Sequence, residues 1–172
     1  PGAGSITTLM TEKAKKVTAV EIDSDLCEIL KNKNIPNLEI INGDILKTNL
    51  SSISFDIIVG NLPYYITTPI LFKILKSKIE WGKIFFLMQK EVADRIVGKP
   101  NTKSYGRLTI MTQILSNPEL LFNISPQVFR PIPKVDSSFI KLSKINNHKI
   151  MDYGRFEWII RKIFNQRRKK IK

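Results

Sequence analysis

Apolar residues along this chain follow two different periods, and the two periods alternate. Short runs rich in β-branched and aromatic residues predict strands, whereas apolar residues spaced three and four apart predict helices. The predicted strands cover residues 17–23, 38–41, 55–60, 84–88, 120–124 and 135–142. The first predicted helix begins near residue 5, and later ones cover residues 24–31, 69–76, 89–97 and 108–115. This alternation predicts an α/β fold with a doubly wound sheet and helices on both of its faces.

Three of the predicted helices are preceded by residues that favour a helix start. Ser5 is the candidate N-cap of the first helix, and Asp23 or Ser24 is that of the second. Thr68 followed by Pro69 predicts the start of the third helix, because proline fits the first helical turn. The buried side of the second helix is predicted to comprise Leu26, Ile29 and Leu30.

The character of the chain changes near residue 150. An apolar stripe at helical spacing comprises Phe156, Ile159, Ile160, Ile163 and Phe164. Residues 149–172 hold nine basic and two acidic side chains, so this segment carries +7 of the net charge of +13. A solvated helix face would also be basic, but the concentration of charge favours phosphate contacts. We predict one domain over residues 1–145 and the start of a second, basic helical domain over residues 150–172.

Composition limits the classes of partner and of chemistry. The 172 residues are 42% hydrophobic, enough to bury the core of one domain. The sequence pI of about 9.9 indicates a polyanionic partner. Nucleic acid is favoured over a membrane, because no segment reaches the roughly 18 apolar residues of a membrane span. One cysteine, Cys27, and one histidine, His148, exclude an intramolecular disulfide and make a metal centre improbable.

Glycines and acidic residues recur at the ends of predicted strands. Gly2-Ala3-Gly4 precedes the first helix and would let backbone approach a ligand closely. Glu21 follows Gly4 by seventeen positions, close to the spacing of about 20 for a carboxylate that binds ribose hydroxyls. Asp44 could accept the amino group of an adenine, or it could simply close an Asx turn.

The segment Asn61-Leu62-Pro63-Tyr64 follows the strand that ends at Gly60. It places an amide, a rigid proline and an aromatic ring where open α/β sheets carry their chemistry. An ordinary strand-to-helix turn is the alternative, because Asn and Pro are common in turns.

Together these motifs resemble the rRNA adenine dimethyltransferase family, in its small-subunit branch. The blocks that carry the resemblance are residues 1–5, 21–23, 61–67, 87–92, 104–108, 129–137 and 164–169. The resemblance implies a Rossmann-like class I methyltransferase sheet followed by a helical C-terminal domain. We expect the family's N-terminal arm, first strand, leading glycine and most of that second domain to be missing from this sequence.

The resemblance also implies roles for individual residues. The residues implied to bind S-adenosylmethionine are Gly2, Ala3, Gly4, Glu21, Ile22, Asp44, Ile45 and Asn61. In the catalytic segment, Asn61 and the Leu62 carbonyl would accept the hydrogens of the target amino group, and Pro63 would direct that carbonyl. Tyr64 and Phe129 would stack on the two faces of the extruded adenine.

The implied substrate is a pair of adjacent adenines in small-subunit rRNA within an immature small ribosomal subunit. The candidate RNA contacts are Arg107, Lys134, Arg167, Arg168, Lys169 and Lys170. We expect a monomer without a membrane partner in the cytoplasm, with a mitochondrion or another organelle as the alternative location.

Three other readings share part of this pattern. The antibiotic-resistance branch methylates large-subunit rRNA by the same chemistry, but Leu62 and residues 129–135 resemble the small-subunit group more. A mitochondrial transcription-factor relative would bind without catalysis, and an intact Asn61-to-Tyr64 segment argues against that. A Rossmann dehydrogenase would need the third glycine that Gly2-Ala3-Gly4-Ser5-Ile6-Thr7 lacks.

Overall fold

The computed structural model describes residues 1–50, 54–77, 79–130, 132–145 and 152–165. The chain divides into two compact units, Pro1–Ser52 and Ile53–Lys172. Strands and helices largely alternate through the first 100 residues, as the apolar pattern predicts, and the fifth helix then follows the fourth directly. The helices of eight or more residues are α2 (Ser24–Lys31), α3 (Tyr64–Lys76) and α6 (Tyr153–Asn165), and the shorter ones are α1 (Ser5–Thr11), α4 (Lys90–Ile96) and α5 (Arg107–Gln113). The strands are β1 (Val17–Glu21), β2 (Leu38–Asn42), β3 (Ser54–Asn61), β4 (Glu80–Gln89), β5 (Ser116–Ile124) and β6 (Ser137–Lys144).

The first unit is a strand–helix–strand element preceded by α1. Strands β1 and β2 pair in parallel, with Glu21 opposite Asn42 at their carboxyl ends. Asp23 caps α2 as predicted, because its side chain accepts hydrogen bonds from two amides of the first turn. Of the predicted buried side, Leu30 is buried, whereas Ile29 is 47% exposed. Cys27 is buried in its place, as a free thiol.

The second unit contains a four-stranded sheet in the order β3-β4-β6-β5. Strands β3 and β4 are parallel, whereas β6 runs antiparallel to both β4 and β5. Side chains alternate between the two faces of the sheet along β4 and β6, and one face carries most of the fully buried ones. The fully buried members of this face are Ile84, Phe86, Met88, Ile140 and Leu142.

Two predicted helix starts are wrong. The N-cap of α1 is Gly4 in the left-handed region, and Ser5 is already helical. Helix α3 begins at Tyr64, so Pro69 lies inside it rather than in its first turn. Proline lacks the N–H that a residue inside a helix donates, so Pro69 predicts a helix start at its own position, later than the observed one. The earlier start places Tyr64 in the first turn of a helix instead of in a loop.

Helix α6 packs on the second unit through only part of its apolar stripe. Ile160 is buried, but Ile159 and Ile163 are 40% and 43% exposed. Glu157 reinforces the packing by accepting hydrogen bonds from Lys76 of α3 and Arg107 of α5. The predicted boundary near residue 145 adjoins residues 146–151, which lie outside the described ranges. The separate C-terminal domain therefore stays a prediction, and the division between compact units falls at residues 52 and 53.

Candidate functional site

The glycine segment before α1 forms the tight turn that its composition predicts. Gly2 and Gly4 both have positive φ, 58° and 89°. The Gly4 amide donates to the Pro1 carbonyl at 3.2 Å and closes the turn. A Cβ at Gly4 would lie 2.3 Å from Cδ2 of Leu30, whereas a Cβ at Gly2 would meet nothing within 4 Å. Packing against Leu30 thus excludes a larger residue at position 4. At Gly2, by contrast, the space beside the backbone is open.

The Glu21 carboxylate is held by backbone amides at the end of β1. Its Oε2 accepts a hydrogen bond from the Gly2 amide at 3.0 Å, and its Oε1 accepts from the Ile22 and Asp23 amides at 3.0 and 3.2 Å. Partial burial by itself would raise the pKa of Glu21, but these donors outweigh it and the pKa is lowered.

These features fit a cofactor that contains a ribose. An ionised carboxylate is a hydrogen-bond acceptor only, which suits a pair of hydroxyl donors. The open space at Gly2 allows a ligand to lie against the main chain. Ala3 is exposed, and Ile22 is 70% exposed, so an apolar side chain at the strand end faces solvent.

Asp44 adopts the turn that the sequence offered as the alternative to a ligand contact. Its Oδ1 accepts a hydrogen bond from the Leu46 amide at 2.8 Å, the pattern of an Asx turn. Its carbonyl accepts from the Lys47 and Thr48 amides, both at 2.9 Å. Asp44 and Ile45 are both half-buried. Their contact with an adenine stays a prediction.

Asn61 is the last residue of β3, where it pairs with Leu87 of β4. Its exposure leaves the amide accessible at the carboxyl end of the sheet, as predicted. Pro63 caps α3 with φ −54° and ψ 135°, so Leu62 lies between a strand end and a helix start. A Cβ at Gly60 would be 2.9 Å from the Phe86 ring, so only glycine fits where β3 approaches that ring.

Tyr64 is anchored at its hydroxyl. The Tyr64 oxygen lies 2.8 Å from Oγ of Ser137, the first residue of β6, and either hydroxyl can donate. The residue is half-buried, so the ring is not free to rotate into solvent. Its neighbour Tyr65 is 84% exposed.

Phe129 follows a short 3-10 turn at Pro126–Val128 and is extended, with φ −100° and ψ 153°. It is half-buried. The Arg130 guanidinium donates to the carbonyls of Gln127 and Phe129 at 3.1 and 3.0 Å and braces this loop. Among the described residues, no ring contact joins Phe129 to Tyr64, and their joint grip on a base stays a prediction.

The predicted RNA contacts have different surroundings. Lys134 is exposed and lines a groove of about 440 Å³ together with Lys90 and Asp136. Arg107 is instead paired with Glu157 at 2.8 Å. The other four candidates, Arg167, Arg168, Lys169 and Lys170, lie outside the described residues.

Within the part of the chain that the structure describes, no group of three His, Cys, Asp or Glu side chains could hold a metal ion. None of its helices combines the length and apolar character needed to cross a membrane.

Sequence reasoning missed the side chains that support the site from a distance. Ser137, Lys33 and Glu157 each contact a residue at least thirty positions away. Ser137 closed one of the motif blocks, but no local pattern identified it as the partner of Tyr64. Lys33 and Glu157 carried no signal at all.

The family model for ribosomal RNA adenine dimethylase matches residues 1–172. A protein of Alkaliphilus oremlandii named ribosomal RNA small subunit methyltransferase A is 41% identical over 180 residues, which covers 98% of this chain and 63% of that protein. Its namesake in Bacillus cytotoxicus is 42% identical over 181 residues and is covered to 62%. The chain therefore spans less than two thirds of the length of these curated relatives.

Solved structures show the same fold. A dimethyladenosine transferase from Plasmodium falciparum superimposes with a TM-score of 0.90 at 29% identity, covering 98% of this chain and 62% of that one. The 23S rRNA methyltransferase ErmE gives a TM-score of 0.81 at 29% identity, with coverage of 96% and 68%. The predicted class I methyltransferase fold is confirmed by these neighbours.

Proposed function

Because the chain belongs to the ribosomal RNA adenine dimethylase family, we propose that it carries the core of an enzyme that dimethylates two adjacent adenines of small-subunit rRNA. The methyl donor in this proposal is S-adenosylmethionine. Both curated relatives described above are named as small-subunit enzymes, and their 41–42% identity supports that branch.

The first unit would hold the cofactor. Glu21 would accept hydrogen bonds from the two ribose hydroxyls, and its lowered pKa keeps it ionised at neutral pH. The turn at Gly2 and Gly4 would place main chain against the methionine part, with Ala3 and Ile22 beside it. Asp44 and Ile45 would contact the adenine ring. When bound, this cofactor supplies an electrophilic methyl group attached to a positively charged sulfur.

The second unit would activate the target nitrogen. An adenine amino group is a weak nucleophile because its lone pair is delocalised into the ring. The Asn61 side-chain oxygen and the Leu62 carbonyl would accept its two hydrogens and favour a pyramidal nitrogen, whose lone pair is then available. Pro63 restricts the backbone that orients the Leu62 carbonyl. Acceptors arranged in advance in this way stabilise the charge that develops on the amino group.

Aromatic side chains would offset the cost of extruding the target. Removing a base from its stack costs a few kcal/mol. Stacking on an aromatic ring returns about 1–3 kcal/mol per base. Tyr64 is suited to this role because its contact with Ser137 holds the ring before a base binds. Phe129 lies on a loop whose backbone is braced by Arg130.

The basic surface would supply RNA affinity. A net charge of +13 favours phosphate contacts, with Lys134 and the C-terminal run from Arg167 to Lys170 as candidates. The partner in this proposal is an immature small ribosomal subunit, contacted by a monomer in the cytoplasm.

The observation that carries the proposal is the exposed Asn61 at the end of β3, directly followed by Leu62, Pro63 and the anchored Tyr64. The test is to incubate the protein with labelled S-adenosylmethionine and either immature small subunits or large subunits, and then to map labelled nucleotides. We expect dimethyladenosine at two adjacent positions of small-subunit rRNA. Label in large-subunit rRNA alone would assign the chain to the other branch, and label in neither would refute the enzyme activity.

A further inference from the structure

The turn that contains Gly2 and Gly4 is anchored by a lysine that follows α2. The Lys33 ammonium donates to the Ala3 carbonyl at 2.9 Å, and it lies 3.4 Å from Oγ1 of Thr8. Thirty positions separate Lys33 from Ala3, so the contact ties the glycine turn to the end of a different helix.

A second side chain, also from the segment between α2 and β2, contacts the other end of α1. The Asn37 amide donates to the carbonyls of Thr11 and Ala14 at 2.8 and 2.9 Å. The Thr11 carbonyl lies at the C-terminal end of α1, where helical partners are lacking, and the Ala14 carbonyl lies three residues beyond it. Residues 33–37 therefore fasten α1 at both ends, but only Lys33 contacts the glycine turn itself.

Three hydrogen bonds determine the path of this turn. One joins the Gly4 amide to the Pro1 carbonyl, the second joins the Gly2 amide to Glu21, and the third is donated by Lys33. Glycine has more accessible backbone conformations than any other residue, so a turn with two glycines is costly to order. The bond to the Ala3 carbonyl fixes the orientation of the peptide between the two glycines.

We propose that Lys33 is a positioning residue of the cofactor site. By holding the Ala3 carbonyl, it keeps the Gly2 amide directed at the Glu21 carboxylate and keeps the turn in the shape that receives the ligand. This inference rests on the proposed function in one respect, that the turn binds S-adenosylmethionine. Lys33 does not contact the reacting atoms, so it acts on cofactor affinity and not on the rate at saturating cofactor.

Three variants separate this role from a general effect of charge. Lys33→Met keeps the apolar stem and removes the donor, whereas Lys33→Arg keeps a cationic donor. Lys31→Met removes the same charge from an exposed residue two positions earlier. We expect Lys33→Met to raise the Kd for S-adenosylmethionine, measured by calorimetry, about three- to tenfold, the effect of losing one exposed charge-assisted hydrogen bond. Lys33→Arg should restore most of the affinity, Lys31→Met should leave it unchanged, and kcat at saturating cofactor should not fall.

A second readout needs no cofactor. Amide hydrogen exchange at Gly2 and Gly4, followed by NMR, should accelerate in Lys33→Met but not in Lys33→Arg or Lys31→Met. Unchanged exchange and affinity in Lys33→Met would overturn the proposal, as would equal losses in the Met and Arg variants. If the unmodified protein binds no S-adenosylmethionine while the exchange changes as expected, the proposed function fails and the positioning role stands.

Discussion

The hydroxyl of Tyr64 lies 2.8 Å from the hydroxyl of Ser137, although 73 positions separate the two residues along the chain. This contact joins the first turn of α3 to the first residue of β6. It holds the ring by its polar end. The contact also separates two possible roles of Tyr64, stacking through the ring and structural support through the hydroxyl.

Substitutions at Tyr64 should distinguish these roles. Tyr64→Phe keeps the ring and loses the hydroxyl contact, so we expect methyl transfer to fall less than about fivefold. Tyr64→Ala also loses the stacking surface, and kcat/KM should fall roughly 5- to 150-fold further, the equivalent of about 1–3 kcal/mol. Ser137→Ala is the matched control and should resemble Tyr64→Phe. Equal losses in Tyr64→Phe and Tyr64→Ala would mean that the hydroxyl, rather than the ring, is required.

Asn61→Ala should abolish methyl transfer while leaving cofactor affinity nearly unchanged. The side-chain oxygen is proposed to act on the target nitrogen, and loss of one such preorganised group lowers kcat by about 100- to 1,000-fold. Single-turnover assays with rRNA and calorimetry with S-adenosylmethionine measure the two quantities separately. If both fall to the same extent, Asn61 serves mainly to build the cofactor site.

The ion pairs that Glu157 of α6 forms with Lys76 and Arg107 should make the stability of the fold depend on pH. The hydrogen bond from Lys76 has the largest influence on the pKa of Glu157 and lowers it. Partial burial raises this pKa, but the hydrogen bond from Arg107 lowers it further, so the net shift is downward. A carboxyl whose pKa is lower in the folded state stabilises the fold above its unfolded pKa, near 4.5. That contribution is lost as the pH falls through the folded pKa.

Denaturant unfolding of Glu157→Gln across a pH series tests the contribution of these ion pairs. At pH 7 the variant should be less stable by about 0.5–1 kcal/mol, since the ion pairs are partly exposed. The difference should disappear below the folded pKa, where the native carboxyl is itself protonated. Glu28→Gln, at an exposed position of α2, should show no such trend. A difference that persists unchanged at low pH would mean that the charge of Glu157 does not hold α6.

Gly60→Ala should destabilise the second unit by about 1–3 kcal/mol through overpacking. The new Cβ would approach the Phe86 ring to 2.9 Å, and that ring is only 1% exposed and cannot move aside. Thermal unfolding measures the effect. Gly43→Ala is the control, because its Cβ would meet only Oγ1 of Thr48 at an ordinary 3.5 Å. Equal stability of the two variants would contradict this packing.

RNA affinity should fall steeply with salt if phosphate contacts provide it. A plot of log K against log salt should have a slope of about −0.7 per phosphate contact with single-stranded RNA. Lys134→Ala should reduce the slope by roughly one contact. Arg107→Ala should reduce the slope less than Lys134→Ala does, because the Arg107 guanidinium is shared with Glu157. If the affinity of the unmodified protein does not change with salt, the basic residues 149–172 do not contribute phosphate contacts.

Most of the local structure followed from the sequence. Alternating periods predicted the strands and helices because burial of an apolar face requires a spacing of two or of 3.6 residues. The turn at Gly2 and Gly4 was predictable because positive φ selects glycine within a single residue. Local signals failed at Pro69. They predict that α3 starts there, whereas the helix begins five residues earlier, at Tyr64. There the packing of α3 prevailed over the preference of proline for a first turn.

Contacts between distant positions could be decided only by the tertiary structure. The charge and the motif of Arg107 predict an RNA contact, which stays a prediction, whereas its ion pair with Glu157, fifty positions later, is visible only in the fold. The bonds from Tyr64 to Ser137 and from Lys33 to Ala3 were likewise invisible in the sequence. Residue type and local spacing determine which backbone conformations are favourable, and they therefore determined the elements and the motifs. Which donor meets which acceptor depends on where the packed elements bring their side chains, and no local pattern records that.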